Sequence, residues 1–322
     1  MQEFAIIDHF FKNFNEHSDP DLLLGIGDDC AVLNTSDIKN ILVTMDTLVL
    51  GTHFLASAPP SSIGHKSLAV NLSDIAAMGG TPKWFTLALT MPEYNQEWIT
   101  EFTKGMSDLA KECNVKLIGG DLTKGPLSIT ITLFGTGSAN ILTRKGAKAG
   151  DGIFVTGNLG LPSYVLNKVL SDELEGIPFL NKRENKLYYP YPQIKAGLKI
   201  SNYATSAIDV SDGLIGDLSH ILKQSKVSAE IYLENLPVHS ELKNLSWPDA
   251  RELYQYILNG GDEYEILFTA PLEYKEILVN NTTIDVTYIG QIQPGNGSIV
   301  FRQDNQIIDL GSIMNQSWKH FK

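Results

Sequence analysis

Apolar and polar positions alternate along this chain with two periods, and the period changes from segment to segment. "NILVTMDTLVL" (Asn40 to Leu50) mixes aliphatic and β-branched residues with short polar ones, which predicts a strand delivering Asp46 near its end. "IGHKSLAVNLSDIAAMGG" (Ile63 to Gly80) changes to the helical period. Leu68, Leu72 and Ile75 fall at i, i+4 and i+7, and Ser67, Asn71 and Asp74 repeat that spacing on a polar face. Gly79, Gly80 and Pro82 stop the helix. "KWFTLALTMP" predicts a strand and "EWITEFTKGMSDLAKECN" an amphipathic helix. "VKLIGGD" reads as a strand running into a glycine pair and then Asp121, and "LSITITLFGTG" as a further strand.

The Gly- and Lys-rich "TRKGAKAGD" (Thr143 to Asp151) is a connector, and it divides the chain into expected domains over residues 1–140 and 141–322. A second α/β portion follows. "GIFVTGNLG" predicts a strand entering a glycine turn, and Leu161 to Ile200 is helical, interrupted by "YYPYP". "TSAIDVSDGLIGDLSHILKQS" predicts a strand, an Asp-rich turn and a helix; "LYQYILNGGDEYEILFTA" predicts a helix, a turn and a strand.

Composition narrows the class. With 322 residues, 43% hydrophobic and 19% charged, the chain has the make-up of a soluble two-domain protein. It has no apolar run of membrane length and no cationic–apolar leader at "MQEFAIIDHFF". Its net charge of −12 and lack of a Lys/Arg block argue against nucleic acid as a partner. Two isolated cysteines, Cys30 and Cys113, fit a reducing cytoplasm.

Acidic residues gather at strand ends and glycine turns: Asp28 and Asp29 in "GIGDDC", Asp46, Asp121, Asp209 and Asp212, Asp262 and Glu263, with Asp74 added from a helix. Any one alone is ordinarily a cap or turn residue, as Asp212 before Gly213 could be. As a set they need counter-charge, because two carboxylates about 4 Å apart repel by about 4 kcal/mol at an effective dielectric near 20. Few basic residues lie near them in sequence, and oxygen-only donors suit Mg²⁺ or Mn²⁺. Several such ions in a glycine-rich α/β chain suggest a nucleoside triphosphate. Yet the chain has no GxxxxGK[ST] loop, no complete dinucleotide fingerprint and no protein-kinase signature. Arg144 and Lys145 are the best basic candidates, or else a solvated linker; His53 in "GTHF" is either structural or functional on spacing alone.

Taken together, "LGIGDDCAVL", "TMDTLVLGTHF", "NLSDIAAMGG", "LIGGDLTKGP", "LTRKGAKAGD", "SAIDVSDGLIGDL" and "NGGDEYEILF" resemble the thiamine-monophosphate kinase family, in the family's order and over nearly the whole chain. That family belongs to an ATP-using superfamily with aminoimidazole ribonucleotide synthetase and selenophosphate synthetase. The resemblance implies a two-domain α/β (α+β) fold: an N-terminal mixed-sheet domain that pairs in a homodimer, and a C-terminal α/β domain completing a cleft for ATP and several Mg²⁺. It implies metal ligation by Asp29, Thr44, the Met45 backbone, Asp46, Asp74, Asp121, Asp209 and Asp212. Gly120, Asp121, Arg144 and Ser211 match nucleotide-contacting positions; His53, Asp262 and Trp318 match positions at the thiamine end. The family's usual GGED is here "GGDE", which leaves open whether Asp262 or Glu263 meets the substrate; Asp28 could be a turn residue only. The implied reaction is ATP-dependent, in-line phosphorylation of thiamine monophosphate to the diphosphate, the last step of that cofactor's biosynthesis, with no side-chain acid or base. A synthetase of the same superfamily acting on another acceptor, and a metal-dependent nucleotide-binding protein without turnover, are the alternatives.

Overall fold

Strand alternation and helical periodicity sort the described residues into two large sheets with helices against them, beside a small two-stranded sheet of Leu22–Leu24 and Val32–Leu33. The computed structural model describes residues 3–12, 14–15, 19–26, 30–137, 139–171 and 185–311. The chain divides into two compact units, Met1–Ile75 with Gly80–Gly137, and Ala76–Gly79 with Ser138–Lys322.

The first unit holds β1 (Ile41–Val49), α1 (Pro60–Ala77), β2 (Thr81–Met91), α2 (Gln96–Glu112), β3 (Lys116–Lys124) and β4 (Ser128–Thr136). Its four-stranded sheet runs β1-β4-β2-β3, with β2 and β3 parallel and the other pairs antiparallel. Ile129, Ile131 and Leu133 alternate into the core from β4. Ile99, Phe102, Met106 and Leu109 do so from α2 at helical spacing. Asn95 caps α2 by accepting a hydrogen bond from the Trp98 N–H. The two long helices touch backbone to backbone. A Cβ at Gly64 would lie 2.0 Å from the Phe102 carbonyl oxygen, and one at Gly105 would lie 1.8 Å from that of Ser61.

This packing changes the expected polar face of α1. Ser67 and Asn71 are buried, because the helix has α2 against one side and the sheet, at Gly135 beside Ile75, against another. They satisfy their donors along the helix itself: the Ser67 hydroxyl donates to the Ile63 carbonyl at 2.7 Å, and Asn71 Nδ2 to the Ser67 carbonyl at 3.2 Å.

The second unit holds β5 (Gly152–Thr156), α3 (Leu161–Leu170), α4 (Ile194–Ile200), β6 (Ser206–Asp209), α5 (Leu214–Ser225), β7 (Ser228–Tyr232), α6 (Ala250–Asn259), β8 (Ile266–Ala270), β9 (Val286–Gln293), β10 (Ile299–Gln303) and β11 (Gln306–Ile308). Its sheet runs β11-β10-β7-β9-β5-β8-β6, antiparallel throughout except for the β10–β7 pair. Every residue of β5 and β8 is buried, so both faces of the sheet are covered there. Ile153, Val155 and Leu267 meet Leu218, Ile221 and Leu222 of α5 in one layer. Phe154 and Phe268 share the other with Ala196 and Ile200 of α4, their rings stacked at 5.2 Å. Among the described residues no helix is long and apolar enough to cross a membrane.

Candidate active site

In the first unit the acidic residues hang from β1, α1 and β3. Asp46 is not near a strand end, as the pattern suggested, but sixth of the nine residues in β1. Alternation puts Thr44 and Asp46 on the side of buried Leu42 and Leu48, while Val43 and Met45 are exposed. There Asp74 of α1 meets both: the Thr44 hydroxyl donates to Asp74 Oδ2, and the carboxyls of Asp46 and Asp74 hydrogen-bond to each other. Burial first, and then the neighbouring Asp74 charge, push the Asp46 carboxyl up to about 6. Two carboxyls that bond to each other share a proton. A hard divalent cation replaces such a proton, and these oxygen donors fit Mg²⁺.

β3 does not stop at its glycine pair either. It pairs through Gly119, Gly120 and Asp121 to Lys124, with Gly120 so close to β2 that a Cβ there would lie 2.0 Å from the Leu87 carbonyl oxygen. Exposed Asp121 therefore stands on the sheet edge opposite β1, with two strands between it and Asp46. At about 4.8 Å per strand spacing, their strands lie roughly 14 Å apart. Beside Gly120 and Asp121 is an apolar pocket with Ile7, Phe11, Leu87 and Leu89 in its wall. His53 follows β1 in a turn and is half-buried; its Nδ1 accepts from the Val49 N–H at 3.0 Å.

In the second unit β6 ends at buried Asp209, and the chain turns through Val210 to Gly213 into α5. Asp212 does not cap that helix; Gly213 holds the cap position without a side-chain bond. The turn is held instead by Asp217, whose Oδ2 accepts from the Ser211 N–H at 3.0 Å and the Asp212 N–H at 3.1 Å. Burial, then the charge of Asp212, push the Asp217 carboxyl up to about 7, while Arg144 acts in the opposite direction. The "GGDE" turn lies directly against this one. Asp262 N–H donates to the Ser211 carbonyl at 2.9 Å and Tyr264 N–H to that of Val210 at 2.8 Å. Asp262 is half-buried and accepts from the Tyr264 hydroxyl at 2.9 Å, whereas Glu263 is only 1% exposed.

Thus Thr44, Asp46 and Asp74 form one group, and elsewhere the turn that follows Asp209, with Ser211 and Asp212, lies against the turn that carries Asp262, with Arg144 near the former through Asp217. Asp29, Asp28 and Trp318 lie outside the described residues. Among the described residues, no three or more His, Cys, Asp or Glu side chains gather into one metal-binding group. Asp217, the buried Glu265 and the half-buried Lys186 were not singled out by sequence motif. The signal for Asp217 was its place in the first turn of α5, where a carboxylate faces unpaired amides.

Comparison with known proteins covers both halves of the chain. Residues 27–139 match the family model for AIR synthase related protein, N-terminal domain, and residues 148–303 that for its C-terminal domain. The thiamine-monophosphate kinase of Haemophilus influenzae is 38% identical over 335 residues, spanning 100% of this chain and 98% of its own. The crystal structure of thiamine-monophosphate kinase from Stenotrophomonas maltophilia K279a is 38% identical, with a TM-score of 0.83 and coverage of 96% of this chain and 98% of that one. The structure of AaThiL complexed with AMPPCP and TMP is 32% identical, with a TM-score of 0.76 and coverage of 99% and 97%. Likeness of this extent, over both halves of the chain and its whole fold, makes the chain a member of the thiamine-monophosphate kinase family and a phosphotransferase.

Proposed function

We propose that this chain transfers the γ-phosphoryl group of ATP to thiamine monophosphate, giving thiamine diphosphate and ADP, in a Mg²⁺-dependent, in-line reaction. The relatives named thiamine-monophosphate kinase support the substrate, and the relative complexed with AMPPCP and TMP supports the pairing of nucleotide and acceptor. One geometric observation carries the metal dependence: Asp46 and Asp74 bring two carboxyls into hydrogen-bonding contact, beside the Thr44 hydroxyl. Asp46, Asp74, Thr44 and the Met45 carbonyl would hold cations in the first unit, with Asp121 serving another from the opposite sheet edge; Asp209 and Asp212 would do so in the second, and Asp29 completes the proposed set. When bound, such cations neutralise phosphate charge and align the reacting phosphates.

The side chains then position and select. The acceptor is a phosphate monoester whose second pKa is about 6, so its oxygen is largely ionised at neutral pH and needs no side-chain base. Gly120 and Asp121 border an apolar pocket of a kind that suits a nucleobase, and Arg144 and Ser211 are assigned to the nucleotide. His53, Asp262 and Trp318 are assigned to the thiamine end. We further read the protein as a cytoplasmic homodimer with its domains over 1–140 and 141–322. The dimer reading is supported by Ile41, Val43, Met45 and Val49, which expose an apolar row along the edge strand β1. The test is direct: incubate the purified chain with MgATP and thiamine monophosphate and assay thiamine diphosphate. Its formation, abolished by chelation and restored by Mg²⁺, is expected; nucleotide binding without product would overturn the reading.

A further inference from the structure

The "GGDE" turn is built around a side chain that faces inward. Asp262 and Tyr264 both hold left-handed backbone conformations, with φ of 64° and 53°, although neither is glycine. Such conformations persist only where surrounding contacts enforce them. Backbone bonds to Ser211 and Val210 fix one side of the turn. The other side is fixed by Glu263, between the two strained residues, whose Oε1 accepts from the Gly160 N–H. Gly160 caps the start of α3 with φ of 99°, and a Cβ there would press on Leu242 at 2.7 Å, so the donor position takes only glycine. Glu263 Oε2 is buried without a hydrogen-bond partner. Two residues on, Glu265 binds Lys186 Nζ at 2.7 Å and the Thr156 hydroxyl at 2.6 Å, a second inward anchor beneath the same turn.

We propose that Glu263 is a positioning residue: its bond to the Gly160 N–H sets the pose in which Asp262 meets the thiamine end of the acceptor. This rests on the functional reading above. It resolves the order of the two acids, because a fully enclosed side chain cannot touch a ligand while its half-buried neighbour can. Burial pushes the Glu263 carboxyl up to about 8, against the pull of Lys186 and the Gly160 amide, so the bond does not depend on a full charge near neutral pH. An amide can therefore replace it, and an alanine cannot.

The experiment uses the full chain and four variants, Glu263→Ala, Glu263→Gln, Asp262→Ala and the Glu263→Ala/Asp262→Ala pair. Kinetics are measured separately in thiamine monophosphate and ATP, with thermal melts to register folding. Glu263→Ala is expected to raise KM for thiamine monophosphate about tenfold or more, leaving KM for ATP within about twofold. Glu263→Gln should restore the wild-type KM, and the pair should be no worse than Asp262→Ala alone, since both act through one contact. If Glu263→Ala does not stay folded at the assay temperature, Glu263→Asp, one methylene too short for Gly160, takes its place with the same expectation. Glu263→Gln as impaired as Glu263→Ala, or additive losses in the pair, would overturn the assignment. No turnover by the unaltered chain would overturn the functional reading and this inference with it; turnover with a normal KM in Glu263→Ala overturns the inference alone.

Discussion

Thr44 on β1 donates its hydroxyl to the carboxylate of Asp74 on α1, tying strand to helix through the same carboxyl that bonds Asp46. Three oxygen-bearing side chains thus meet at one point of the first unit. Asp46→Asn removes one of the two acids while keeping its shape. Turnover should fall by roughly 100-fold or more, the scale for losing a main electrostatic element of a transfer site. The metal-free variant should melt no lower than wild type at pH 7.5, since it relieves the contact between two acids. Mg²⁺ should raise its melting temperature less than that of wild type. Near-normal turnover at limiting Mg²⁺ would remove Asp46 from the metal set.

The close contact of α1 and α2 is a stability determinant independent of the site. Gly64→Ala and Gly105→Ala each place a methyl group within van der Waals overlap of a backbone carbonyl, which no rotamer can relieve. Each should cost about 1–3 kcal/mol, the usual range for overpacking. Urea unfolding should show a lowered midpoint with an unchanged slope. Wild-type midpoints for both would mean that the helices separate without strain.

The pattern of apolar positions was enough to locate α1, α2, α5, α6 and the strands around the carboxylates, because each carries a strong period and a clear stop. It failed where tertiary cover overrides local pattern. Ser67 and Asn71 look like a solvent face by spacing, yet the α2 contact through Gly64 encloses the helix. Asp46 was expected near a strand end, and Asp121 just after a glycine pair closing its strand; pairing with β4 and β2 carries both strands onward. Strands β7, β9, β10 and β11 are short or interrupted by polar residues, and their membership in the sheet is set by partners distant in sequence. Motif reading singled out Asp209, Asp212 and Asp262, which lie on two adjoining turns. It missed Asp217, whose contribution is to hold the Ser211 and Asp212 amides rather than a ligand.

That contact gives its own expectation. Asp217→Ala should free the Ser211–Asp212 turn and raise KM for ATP by roughly tenfold, whereas Asp217→Asn, which keeps an acceptor oxygen for both amides, should do so far less. Equal effects of the two substitutions on ATP kinetics would mean that the Asp217 charge, and not its grip on the turn, matters.

Glu263 makes stability fall with rising pH. Its folded-state carboxyl is raised from 4.5 to about 8, chiefly by burial and further by Glu265 and Asp262, with Lys186 and the Gly160 amide opposing. The folded protein therefore binds the proton more tightly than the unfolded chain does. The resulting stabilisation is fully present below about pH 4.5 and is lost as pH climbs through about 8, with a limiting slope of about 1.4 kcal/mol per pH unit for one proton. Other groups add their own pH dependence, so the comparison is with Glu263→Gln, which cannot titrate. Between pH 6 and 8 the wild-type melting temperature should drop more steeply than that of the variant, and the gap between the two curves should reach its full size above about pH 8. Parallel curves would mean that Glu263 ionises in the fold as readily as it does in the unfolded chain.

The exposed row on β1 supplies the last test. Val43 and Met45 are 59% and 63% exposed on an edge strand whose opposite side is covered, an arrangement that invites a second copy of the same sheet. Val43→Lys puts a charge in the middle of that row without touching a buried position. Light scattering at micromolar concentration should give twice the 35.5 kDa chain mass for wild type and a value approaching the chain mass for the variant. The variant should also be the more soluble, because the lysine blocks edge-to-edge pairing of any register. A wild-type mass of one chain would show that the row is open in solution and would sink the dimer reading, leaving the carboxylate assignments as they stand.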